Sequence, residues 1–116
     1  MRSLKDFKEI YVYNEFVDMR KSINGLSALA QLEADADWSR DPLFVFVNKR
    51  REILKILYFD QTGFALWTKR LEEDKFPWKK VFENKVSTLT NTELEDVLRG
   101  VNIFSRHSVK SYKTLV

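Results

Sequence analysis

The stretch Leu43-Phe44-Val45-Phe46-Val47, Asn48-Lys49-Arg50-Arg51-Glu52, Ile53-Leu54-Lys55-Ile56-Leu57-Tyr58-Phe59 decides the fold. Its first five residues form a near-continuous apolar run, the pattern of a strand covered on both faces. Five polar residues follow, then a second run of strand-forming residues, which together predict an antiparallel hairpin. Asp60-Gln61-Thr62-Gly63 has turn chemistry, with Asp able to bond its own backbone and Gly63 free to take a positive φ. Phe64 to Leu71 then returns as a third strand, with Ala65, Trp67, Lys69 and Leu71 on one side and Phe64, Leu66, Thr68 and Arg70 on the other. Phe76, Trp78 and Phe82 alternate along a fourth, which Pro77 confines to an edge or a bulge.

Outward from this meander, Ile10-Tyr11-Val12-Tyr13 predicts a short strand near the N-terminus. A helix follows through Leu32, capped by Asp18 or by Ser22, with Met19, Ile23, Leu26 and Ala30 on one face. Gly25 inside it costs about 1 kcal/mol relative to Ala, and close packing against the sheet would account for it. Glu33, Asp35, Asp37 and Asp41, closed by Pro42, form an acidic connection. Thr90-Asn91-Thr92-Glu93 has capping-box spacing and opens a second helix, with Leu94, Val97 and Leu98 in a stripe and Gly100 at its end. The expected fold is α+β: an antiparallel meander of four to five strands with two helices packed on it, in one domain spanning 1–116. Residues 105–116 form a polar, basic tail.

With 44% hydrophobic and 14% aromatic residues, the 116-residue chain has material for one core. There is no Cys, hence no disulfide framework and no thiolate zinc site, and a single His107 leaves little for a His-based site. No apolar run reaches the roughly 18–20 residues of a membrane helix, and the first residues lack a signal peptide's apolar core. A cytoplasmic protein with no membrane partner is expected.

The net charge of +3 is unevenly spread. Residues 43–85 hold ten Lys/Arg against six Asp/Glu, whereas residues 1–42 hold six against eight. Lys49, Arg50 and Arg51 share one hairpin loop; Lys69 and Arg70 end a strand beside Trp67; Lys75, Lys79 and Lys80 bracket Trp78. Cations interleaved with aromatics suit nucleic acid, through phosphate contacts and base stacking, although a solvated sheet face with core aromatics has the same composition. Arg20 and Lys21 near a helix start could hold a phosphate with the free N–H groups there, or Arg20 could pair with Asp18 or Glu15. Asp18, Asp60 and Glu83 are the candidate metal-binding carboxylates, and each has an adequate structural role. With no Gly-rich phosphate loop and no nucleophile elbow, neither catalytic residues nor a cofactor are expected.

Val17-Asp18-Met19-Arg20-Lys21, Gly25-Leu26, Leu43-Phe44-Val45-Phe46, Lys55-Ile56-Leu57-Tyr58-Phe59-Asp60, Gly63-Phe64, Leu66-Trp67, Lys69-Arg70-Leu71 and Phe76-Pro77-Trp78 occur in a characteristic order. Over residues 10–104 the chain resembles the second-open-reading-frame protein of insertion-sequence-66-type elements, often labelled TnpB. Phe16, Ser22, Phe59 and Asp74 depart from that family's usual Pro, Gly, Trp and Gly. The resemblance implies a non-enzymatic accessory protein of bacterial transposition, encoded beside a larger transposase that carries the catalytic carboxylates. On this reading Arg20, Lys21, Lys49, Arg50, Arg51, Lys69 and Arg70 are the candidate contacts to element DNA, and Trp78 the candidate contact to a protein partner. A pure interaction module without DNA contact is the alternative.

Overall fold

The computed structural model describes residues 6–34, 36, 38–73, 75–76 and 85–99. Their strands are β1 (Glu9–Tyr13), β2 (Pro42–Val47), β3 (Ile53–Asp60), β4 (Gly63–Arg70) and β5 (Val86–Leu89), and their α-helices are α1 (Ile23–Glu33) and α2 (Asn91–Leu98). One five-stranded sheet runs in the order β4-β3-β2-β1-β5. The meander is present as β2-β3-β4, with Val45 opposite Ile56 and Ile56 opposite Trp67. β1 lies parallel to β2, with α1 in the connection, and β5 pairs antiparallel with β1 on its far side.

Each face of the sheet carries its own core, so the α+β fold has three layers. Leu43, Val45, Val47, Leu54, Ile56 and Tyr58 point to the face covered by Leu94 and Val97 of α2. Phe44, Phe46 and Leu57 point to the other, under Leu26 and Ala30 of α1. That is why β2 reads as an unbroken apolar run: every one of its residues is buried. Trp38 caps the second face, its ring 5.1 Å from that of Phe44 and 5.3 Å from that of Phe64.

Several local expectations change. α1 begins at Ile23 with Ser22 as its cap, so Asp18 is not the cap; it closes the turn before the helix. The nearest atoms a Cβ on Gly25 would meet all belong to the Lys21 side chain, from 3.4 Å, so sheet packing does not explain that glycine. In the β3–β4 turn the positive φ falls on Gln61 (49°) rather than Gly63, which is a paired strand residue opposite Asp60. The reason is loop length: Gln61 and Thr62 alone connect the strands, and such tight hairpins demand a left-handed residue inside the loop. Of the expected fourth meander strand only the first residue, Phe76, is among the described residues; it is buried and not in a strand. Trp78 and Phe82 lie outside the described residues, as does Gly100.

The capping box forms as expected. The Glu93 N–H donates to Thr90 Oγ1 (3.1 Å) and the Thr90 N–H to Glu93 Oε1 (2.9 Å).

Candidate nucleic-acid interface

The strand directions collect the basic segments at one end of the sheet. Parallel β1 and β2 finish there, at Tyr13 and Val47, while β3 starts and β4 finishes there, Ile53 pairing with Arg70. The chain leaving β1 is tied to this end by the Val17 N–H, which donates to the Val47 carbonyl at 3.0 Å. Segments 14–22, 47–55 and 69–76 therefore meet, and together they hold nine Lys/Arg against six Asp/Glu. The opposite end carries Glu9, Asp41 and Asp60 with Arg40, whose guanidinium lies 3.8 Å from Glu9. Charge along the strands is thus polarised.

The first segment forms a compact turn. The Asp18 carboxylate accepts from the Arg20 backbone N–H (2.9 Å) and from its guanidinium in a forked pair, the shortest contact 2.6 Å. Of the two acidic partners open to Arg20, Asp18 is the one it pairs with. Hydrogen bonds from Arg20 hold the Asp18 carboxyl down to about 2, well below the usual carboxylate range. The Arg20 side chain nonetheless remains 92% exposed, so one face of its guanidinium is open to solvent. Lys55 fixes the turn from below. It is half-buried in β3, and its ammonium donates to the carbonyls of Met19 (2.9 Å) and Lys21 (3.4 Å). Ser22 makes no side-chain capping bond and the first turn of α1 has no acid, so the positive pole of the helix adds to Arg20 and Lys21 instead of being neutralised.

Lys49, Arg50 and Arg51 occupy the β2–β3 tip, whose backbone is held by Asn48. Its side-chain oxygen accepts from the N–H groups of Glu52 (3.0 Å) and Ile53 (3.1 Å), and its carbonyl accepts from the Arg51 N–H (2.9 Å). Residues 75 and 76 brace the tip from the α2 side: the Lys75 ammonium donates to the Arg50 carbonyl (2.8 Å) and the Phe76 N–H to that of Arg51 (2.7 Å). Phe76 itself is fully buried. Arg51 adopts φ 59°, a left-handed conformation that costs a non-glycine residue about 1–2 kcal/mol.

Lys69 and Arg70 point to opposite faces, as the alternation requires. The Lys69 ammonium donates to the Leu98 carbonyl at 3.0 Å, placing a cation at the negative pole of α2. Arg70 is exposed on the α1 side. Trp67 packs, half-buried, on the α2-side core, whereas Trp78 lies outside the described residues. Asp18 and Asp60 sit at opposite ends of the sheet: from Lys55, which holds the Asp18 turn, to Asp60 is five residues of β3, about 17 Å. They cannot share the metal pair of a nuclease, whose ions lie about 4 Å apart. Glu83 is outside the described residues, among which no cluster of three metal-ligating side chains occurs. No helix among them is long and apolar enough to cross a membrane.

The positioning residues were missed by reading cations alone. Asn48, immediately before a basic hairpin loop, is an Asx-turn residue by type. Lys55 is the single charge inside Ile53–Phe59, an otherwise apolar and aromatic run. Both are visible signals once the tip is treated as a structure rather than as a charge count.

A sequence model of the family described as IS66 Orf2 like protein matches residues 8–108. Two proteins of Sinorhizobium fredii (strain NBRC 101917 / NGR234) are similar. The uncharacterized protein y4jC is 42% identical over 67 residues, covering 58% of this chain and 57% of that protein. The uncharacterized protein y4hO is 26% identical over 93 residues, 80% of each chain. The chain thus spans little more than half of y4jC. No solved structure matches. The family match runs from the start of β1 through α2 and takes in all three converging basic segments, so the chain belongs to the IS66 Orf2-like family of insertion-sequence proteins.

Proposed function

We propose that this protein is a non-catalytic accessory factor of insertion-sequence transposition, acting in the cytoplasm beside a larger transposase. Its basic end contacts the phosphate backbone of element DNA. The observation that carries this reading is convergence: Arg20, Lys21, Lys49, Arg50, Arg51 and Arg70 come from three separate segments to one end of the sheet. Lys69 stands at the same end, but its bond to Leu98 gives it a structural role there. Phosphate contacts from such a surface are salt-dependent, log affinity falling against log salt by about 0.9 for each phosphate neutralised. The separation of Asp18 from Asp60 supports the non-catalytic part.

Electrophoretic mobility shifts of element-end and random duplexes across a salt series test the reading. Binding at low salt that weakens steeply as salt rises is expected. No binding of either duplex at the lowest salt would remove the DNA contact.

One observation supports the alternative of an interaction module. β4 is an eight-residue edge strand, and among the described residues its outer edge has no partner. Such an edge can accept a strand from another chain, and Trp78, a short way further along the chain, stays a candidate contact. Co-purification with the neighbouring transposase, insensitive to nuclease, is the outcome this alternative requires.

A further inference from the structure

We infer that Asn48 is the positioning residue of the phosphate-contacting tip, holding Lys49, Arg50 and Arg51 in a preformed arrangement before any nucleic acid arrives. The inference rests on the DNA-binding reading above. Three neighbouring cations repel one another, and a loose loop would separate them in solvent. Here the loop is over-determined. Asn48 accepts three N–H groups, two at its side-chain oxygen and one at its carbonyl, while the Asn48 N–H donates to the Ile53 carbonyl (3.2 Å). The carbonyls of Arg50 and Arg51 are drawn inward to Lys75 and Phe76. With their backbones held this way, Lys49 and Arg50 remain exposed, the Arg50 side chain at 78% even with its guanidinium 4.0 Å from the Glu52 carboxylate. Arg51 keeps a left-handed conformation where glycine would be relaxed, so the tip retains a cation against local strain. Ordering completed before binding is ordering that binding need not supply, and that raises affinity without adding a contact.

Fluorescence anisotropy of a labelled duplex across a salt series, using the full chain, separates positioning from charge. Asn48→Ala leaves every cation in place, so the salt slope stays near wild type while affinity falls roughly tenfold, about the net worth of one or two hydrogen bonds. Asn48→Asp still accepts both side-chain bonds but adds an anion, so the tip stays ordered while the slope drops by about 0.9. Amide exchange at Glu52 and Ile53 reads order directly: faster in Asn48→Ala, retained in Asn48→Asp. If Asn48→Ala does not fold, Asn48→Ser, with a shorter acceptor, must show the same weakened binding at unchanged slope. Wild-type binding with both neutral variants at full affinity overturns the inference alone. Absence of wild-type binding overturns the DNA reading and this inference together.

Discussion

At the scale of single residues, the basic end contains side chains whose surroundings oppose their intrinsic preferences, and these give the sharpest tests. Asp18 is exposed, yet its pair with Arg20 holds its carboxyl near 2 rather than the ordinary 3.8. Because the folded value is depressed, the turn has its full ion pair above about pH 4, the unfolded carboxyl's range, and loses it as pH falls toward 2. Carboxyl-carbon NMR should place the Asp18 midpoint near 2, and Arg20→Ala should return it to the ordinary range. An unchanged midpoint in that variant would show that Arg20 is not the cause. Arg51 offers a test in which two properties move apart. Arg51→Gly relieves a left-handed φ and should raise stability by roughly 0.5–1 kcal/mol in urea melts. The same change removes a tip cation and should weaken DNA binding with a shallower salt slope. Tyr13 shows a third environment: burial, then the charges of Glu15 and Glu33, push its phenol above 10.

At the scale of elements, the pattern of residues foretold type better than placement. β2 and β3 were legible because five successive apolar residues and a polar five-residue loop leave one consistent reading. The capping box fixed the start of α2 to the residue, and its contribution is testable: Thr90→Ala should lower stability by about 1 kcal/mol, read as a lower denaturation midpoint. α1 was less legible, since Asp18 and Ser22 are both capping residues by type. Lys55 decided between them, because its bonds to Met19 and Lys21 hold those carbonyls outside the helix. Gly25 looked like a packing requirement and is not one. Gly25→Ala should therefore stabilise α1 by about 0.5–1 kcal/mol, and a loss in thermal melts would reveal a close approach at that position after all. β5 was not legible at all. Val86-Ser87-Thr88-Leu89 is short and half-polar, and its place beside β1 is set by partners distant in sequence, such as Ser87 Oγ donating to Asn14 Oδ1 at 2.9 Å.

At the scale of the whole molecule, two cores share one sheet, and the shared strands should be the sensitive ones. Phe46 is fully buried on the α1 side of β2, between neighbours whose other faces serve the α2 side. Phe46→Ala should cost about 3–5 kcal/mol, measured by chemical denaturation, enough to threaten folding of a chain this size. The meander already implied that the 47–55 and 69–76 segments share one end, but the arrival of the 14–22 segment there was invisible in sequence, because it depends on β1 running parallel to β2, and nothing local to either strand encodes that choice. The same topology has a temporal side. Tyr13 must wait for Val86 before the outer edge of β1 is paired. At roughly 5–20 residues per second, translation of the intervening chain occupies about 4–15 s, while the β2-β3-β4 hairpins need only residues already adjacent. During that interval the nascent protein carries β1 as an unprotected edge, so its passage through synthesis depends on how well that edge avoids the wrong neighbour.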